Sequence, residues 1–238
     1  MREYDVKSKA SRITVFAGHY GSGKSEVSVN YALFAAKKLG SEANITLFDL
    51  DIVNPYFRSR ECRDVLTENA IKLIASAEDF PDVDLPYMPP ELISLFQDKS
   101  RIGVLDIGGD PAGARVLARY GIEINKSVRA GEAEFFCVIN ANRPMTKTHE
   151  EALTYVGKIR DTAGVPVTGI INNTHFFQET EAEDIYRGAE LAKSVSEELE
   201  IPVVFHAVER SLAEKLDKDI GGILPIDIFL KKPWEKKF

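Results

Sequence analysis

Gly18-His19-Tyr20-Gly21-Ser22-Gly23-Lys24-Ser25 places a glycine, four residues, a second glycine, then lysine and serine in the order of a phosphate-binding loop. The flanks agree with that reading. Ile13-Thr14-Val15-Phe16-Ala17 reads as a buried strand, and Glu26 onward reads as a helix. A phosphate chain has to be wrapped by backbone N–H groups, and a glycine-rich loop brings them close enough. The helix beyond adds its own unbonded N–H groups and partial positive charge. Gly18, His19, Tyr20, Gly21, Ser22, Gly23, Lys24, Ser25 and Glu26 are therefore the expected nucleotide-binding stretch. Lys24 reaches the β and γ phosphates in such a loop, and the Ser25 hydroxyl holds Mg2+.

Outward from the loop, Val27, Tyr31, Phe34, Ala35 and Leu39 recur at helical spacing, and Gly40 supplies a stop. Asn44 to Asp51 reads as the next strand. Strand, helix, strand at this length is a βαβ unit, which implies parallel strands joined by a right-handed crossover. Tyr56 to Asn69 reads as a charged helix, Ile71 to Ala75 as a strand, and Glu91 to Gln97 as a helix. Between them Ser76 to Pro90 is acidic and carries Pro81, Pro86, Pro89 and Pro90, so an irregular loop is expected.

Ile102 to Leu105 reads as a strand ending in Asp106-Ile107-Gly108-Gly109-Asp110, followed by a helix from Ala112 to Tyr120. Further strands are expected at Phe135 to Ile139, Val167 to Ile171 and Val203 to Phe205, the last of the chain, with helices at Lys147 to Ala163, Glu181 to Leu199 and Ser211 to Leu216. About seven strands alternating with helices predict an α/β three-layer sandwich with a mostly parallel central sheet, the P-loop NTPase fold. No linker-like or low-complexity segment interrupts residues 1–238, and one domain is expected.

Ligands of such sheets lie beyond the carboxyl ends of the strands. Asp49, Asp51, Asp106 and Asp110 stand at or just past such ends. Asp106 follows an apolar run and has the character of a magnesium-binding aspartate, direct or through water. Asp51 is the candidate to orient or deprotonate an attacking water, and Asp51 and Asp49 are, with Ser25 and Asp106, the candidate magnesium ligands. Gly108-Gly109 would let the backbone swing toward a γ-phosphate. His149, His175 and His206 lack metal-ligand spacing and are given no role.

A net charge of −7 argues against broad nucleic-acid binding, which needs a basic surface. Cys62 and Cys137 are the two cysteines, too few and too far apart for a disulfide framework or a Cys-x-x-Cys metal motif. Met1 to Arg12 has no apolar signal core, and no stretch approaches the roughly 18 apolar residues of a membrane span. The tail Ile228 to Phe238 mixes basic and aromatic residues, but Pro233 disfavours a continuous amphipathic helix. A cytoplasmic protein acting away from membrane and nucleic acid is expected.

With the loop, Asn30, Asp49-Leu50-Asp51, Asp106-Ile107-Gly108-Gly109-Asp110, Asn173, Ile201-Pro202 and Ala207-Val208-Glu209 in view, nearly the whole chain resembles the MinD/ParA/CobQ-CobB group of P-loop ATPases. That group also includes the nitrogenase iron protein and nickel-insertion ATPases. The resemblance implies Mg-ATP as ligand, a nucleotide-dependent homodimer, and a switch acting on a protein partner. Asp51 looks like the first-switch aspartate serving the hydrolytic water, and Asp106 like the second-switch magnesium aspartate. Asn173 looks like the residue bonded to the adenine edge, with Val208 and Glu209 beside the base. Asn125-Lys126 is followed by Ser127 and Val128, so the guanine signature Asn-Lys-x-Asp is missing and ATP is preferred.

One position departs from the group: His19 stands where it usually has a second lysine that reaches the partner subunit's phosphates, with Tyr20 where a glycine is usual. His19, Arg115 and Arg143 are the candidate substitutes. The absence of a paired-cysteine motif argues against metal loading unless single cysteines such as Cys62 pair across a two-fold axis. Two other activities suit the same residues. One is an ATP-dependent biosynthetic ligase resembling dethiobiotin synthase or cobyrinate amidase, with Glu78 to Asp84 and Tyr87 lining a substrate pocket. The other is an ATP-binding regulator without turnover.

Overall fold

The structure is a computed structural model and describes residues 2–3, 11–40, 42–51, 62–75, 90–109, 113, 118–216 and 219–230. Its strands are β1 (Arg2–Glu3), β2 (Ile13–Gly18), β3 (Asn44–Asp49), β4 (Lys72–Ala75), β5 (Arg101–Gly108), β6 (Ala133–Ile139), β7 (Gly169–Asn172), β8 (Val203–Glu209) and β9 (Gly222–Ile226). Its helices are α1 (Lys24–Leu39), α2 (Arg63–Glu68), α3 (Pro90–Gln97), α4 (Gly121–Arg129), α5 (His149–Ala163), α6 (Ala182–Leu199) and α7 (Arg210–Ala213).

The strands form one sheet in the order β1-β9-β8-β7-β6-β2-β5-β3-β4, and every pairing is parallel. Period-two alternation along β2 shows why two helical layers are needed. Ile13, Val15 and Ala17 pack with Leu92 and Leu95 of α3, Ile124 of α4, and Tyr155, Val156 and Ile159 of α5. Phe16 points the other way, into a second cluster with Val27, Tyr31 and Phe34 of α1 and Leu66 of α2. Both faces of the sheet are covered, and the result is the three-layer α/β sandwich that the sequence predicts.

Several details depart from the sequence reading. The strand beginning near Ile102 runs on to Gly108, so Asp106 lies inside it rather than beyond its end. β8 is not the last strand: β9 follows it, and β1 pairs on β9's outer side. Pro225 within β9 is a residue that hides a strand from propensity reading. Helix α4 was not anticipated, and it carries Asn125 and Lys126. The loop Ser76 to Pro90 lies outside the described residues except for Pro90, which opens α3. The helix expected at Tyr56 to Asn69 is present as α2 over Arg63–Glu68, with residues 56–61 outside the described ones; the helix expected at Ala112 to Tyr120 lies largely outside them, as do Asp110 and Arg115.

Candidate nucleotide-binding site

The loop leaves the central strand β2 and enters α1 through Gly23, whose φ of 79° is left-handed, a conformation that disfavours side chains. A Cβ there would also collide with the Asn173 side-chain amide. Ser22 N–H donates to the His19 carbonyl at 2.9 Å, closing the turn. The first backbone N–H groups of α1, including those of Lys24, Ser25 and Glu26, have no partner one turn back and remain available to an anion.

Strand pairing brings the acidic residues to this loop. β2 lies beside β5 with Phe16 opposite Asp106 and Gly18 opposite Gly108, and β5 lies beside β3 with Asp49 opposite Asp106. Lys24, Ser25, Asp49, Asp51 and Asp106 are all buried. Lys24 Nζ forms an ion pair with Asp51. Burial works against the ammonium charge, but Asp106, Asp51 and Asp49 outweigh it and raise the Lys24 pKa above 10.5. Asp51 N–H donates to Asp49 Oδ1 at 3.3 Å, which fixes the turn after β3.

Asp106 differs from its neighbours. Burial, with Asp49 and Asp51 adding to it against the pull of Lys24, lifts its pKa to about 7. Neither carboxyl oxygen has a partner at hydrogen-bonding geometry, although the Ser25 hydroxyl lies close enough to stabilise the charged form. A buried orphan carboxylate beside a loop serine fits a hard divalent cation. Among the described residues no three His, Cys, Asp or Glu side chains are grouped to hold an ion by themselves. Mg2+ needs only one or two protein ligands when phosphate oxygens and water supply the rest, and Ser25 and Asp106 are the residues that could hold it.

Four expected binding residues have partners of their own within the fold. The Glu26 carboxylate turns away from the loop and accepts the N–H groups of Phe229 at 2.9 Å and Leu230 at 3.1 Å. Asn173 is buried with its Nδ2–H donating to the Ser22 carbonyl at 2.7 Å, so this amide braces the loop. Val208 packs into a small cluster with Ile185, Ala213 and Ile223, and the exposed Glu209 accepts the Ser211 hydroxyl at 2.9 Å.

Arg143 does reach the loop: its Nε–H donates to the Gly21 carbonyl at 2.9 Å, and its guanidinium lies 5.9 Å from the Phe177 ring centroid. His19 Nδ1–H donates to the Tyr20 carbonyl, and its ring meets Tyr155 edge-on at 5.6 Å. Tyr20 is 58% exposed. Cys62 is buried in the core, not on a surface where it could meet a partner's cysteine. Sequence reasoning missed His175, which sits against Gly23; its place two residues after Asn173 was the available signal.

The all-parallel sheet, its two helical layers and the loop at the end of its central strand define the class of this protein: it has the P-loop NTPase fold. FtsY from Mycoplasma mycoides is similar in structure, with a TM-score of 0.53 at 19% identity over 85% of this chain and 62% of that one. Chloroplast FtsY from Physcomitrella patens is similar with a TM-score of 0.51 at 16% identity, over 84% and 59%. The chain thus spans about three fifths of those structures, and at such identities the likeness is one of fold. No family model and no curated protein matches the chain.

Proposed function

We propose that the protein is a Mg-ATP-dependent nucleotide switch of the MinD/ParA kind, a single-domain ATPase that changes its affinity for a protein partner and dimerises with nucleotide. The observation that carries this reading is the convergence of Lys24, Asp51 and orphaned Asp106 at the glycine loop. In the bound state Lys24 exchanges Asp51 for the β and γ phosphates, and backbone N–H groups of the loop and of α1 wrap them. Ser25 and Asp106 would hold Mg2+, with Asp49 as a supporting carboxylate, and the ion would supply charge neutralisation on the phosphate oxygens. Asp51, released by Lys24, orients or deprotonates the attacking water.

ATP is favoured over GTP on two grounds. Asn125 and Lys126 lie within α4, not in a loop after a strand. The segment after β7 reads Asn173-Thr174-His175-Phe176, with no acidic residue to receive a guanine edge. Arg143 is the described cation best placed to assist phosphate binding where His19 replaces the usual lysine.

Phosphate release measured with ATP and with GTP, beside light scattering, tests the reading. Turnover of ATP with nucleotide-dependent doubling of mass supports the switch. Turnover that requires an added carboxylate metabolite replaces it with a ligase, and tight binding with neither turnover nor dimer replaces it with a regulator.

A further inference from the structure

The loop after β7 holds a second feature aimed at Gly23. His175 Nε2 is sealed from solvent and has no hydrogen-bond partner, and a Cβ on Gly23 would stand 3.1 Å from it. The tautomer follows from the other ring nitrogen. Nδ1 accepts the Phe177 N–H at 3.4 Å, so in the neutral ring the proton sits on Nε2. The neutral form is the one present, because burial and then the Arg143 charge lower the His175 pKa to about 4. The orphan is therefore an N–H donor pointed at the phosphate loop.

The ring is held in place from several sides. Asn140 bonds both the N–H and the carbonyl of His175, each at 3.4 Å. Phe177 packs edge-on at 5.1 Å and sits at a left-handed φ of 53°, a strained choice for an aromatic residue. A buried donor without an acceptor is unfavourable by itself, and one fixed this firmly is set for a ligand atom.

We propose that His175 is a nucleotide-contacting residue whose Nε2–H donates to an oxygen of the nucleotide bound along Gly23, with Phe177 and Asn140 as its positioning residues. This rests on the nucleotide-binding reading above and adds to it a contact outside the glycine loop. The shared ligand chemistry is an acceptor oxygen on a nucleoside phosphate, from phosphate or from ribose.

The test is calorimetry with Mg-ATP and with magnesium triphosphate on wild type, His175→Leu and His175→Gln. Such a bond is worth about tenfold to a hundredfold in affinity to a charged phosphate oxygen and about twofold to tenfold to a neutral ribose oxygen. His175→Leu should lose that much for ATP, and His175→Gln, whose amide N–H can take the place of Nε2–H, should recover most of it. An equal loss for triphosphate assigns the oxygen to phosphate, and a loss confined to ATP assigns it to ribose. In wild type labelled with 15N-histidine, the Nε2 resonance of His175 should move on ATP addition. Unchanged ATP affinity in His175→Leu, or an unmoved Nε2 resonance at saturation, overturns this contact alone. Failure of wild type to bind any nucleotide overturns the nucleotide-binding reading as well.

Discussion

Lys24 is the residue on which the site depends, because it is the buried cation that three carboxylates surround. Replacing it with alanine should weaken ATP binding at least about a hundredfold, since charge-assisted contacts to phosphate are lost in a water-poor site; calorimetry reads this directly. Asp51→Ala should behave in the opposite way. It frees Lys24 from its ion pair, so ATP binding persists while phosphate release stops; equal release by mutant and wild type would refute the role given to Asp51. His206 offers a test through pH. Burial lowers its pKa to about 4, and its Nδ1 accepts from Asn172 at 3.0 Å. The folded state refuses the proton that the unfolded chain takes up near pH 6.5, so this contribution is complete above pH 6.5 and is lost as pH falls toward 4. It amounts to about 3 kcal/mol, and His206→Gln should flatten the slope of stability between pH 6.5 and 4 in denaturant titrations.

Among the elements, α1 does two jobs. Its first turn faces the loop, while Glu26 and Asn30 one turn apart grip the chain after β9. Asn30 Nδ2–H donates to the Asp227 carbonyl at 2.9 Å, and Asp227 N–H donates back to Asn30 Oδ1 at 2.8 Å. Asn30→Ala should therefore speed hydrogen exchange at the Asp227 amide roughly tenfold or more, while exchange in β5 stays unchanged. The turn after β5 is equally constrained. Tyr155 O–H donates to the Gly109 carbonyl at 2.6 Å, and a Cβ on Gly109 would collide with the Gly18 carbonyl. Gly109→Ala should cost about 1–3 kcal/mol, visible as a Tm several degrees lower. The Gly108-Gly109 pair was legible in sequence as a place where backbone approaches the loop. Its anchoring by Tyr155 was not, because the two residues are 46 apart in the chain and meet only when α5 packs on the sheet.

At the scale of the molecule, the loop emerges from the middle of a sheet nine strands wide, buried on both faces. Binding at such a place acts on folding by mass action, so ATP with Mg2+ at a hundred times Kd should stabilise the chain by about 2.7 kcal/mol, and Lys24→Ala should abolish the shift. No helix among the described residues is long and apolar enough to cross a membrane. The sheet's outer edge carries what the sequence hid: β9 contains a proline and pairs with the two-residue β1 from the other end of the chain, and such pairing leaves little local pattern to read.

The sequence by itself determined the loop, the alternation of strands and helices, and the parallel α/β class, because each rests on spacing within a few dozen residues: glycines for backbone approach, period two for strands, period 3.6 for helices. It also brought Asp51 and Asp106 forward, since residues near strand carboxyl ends converge in any parallel sheet. Only the tertiary structure decided which side chains turn toward the loop and which turn away. Glu26 adjoins the motif yet binds the C-terminal segment, Asn173 braces the loop from below, and His175, more than 150 residues from Gly23 in the chain, stands beside it. Such partnerships depend on where a buried polar atom finds its complement across the fold, and local spacing carries no record of that.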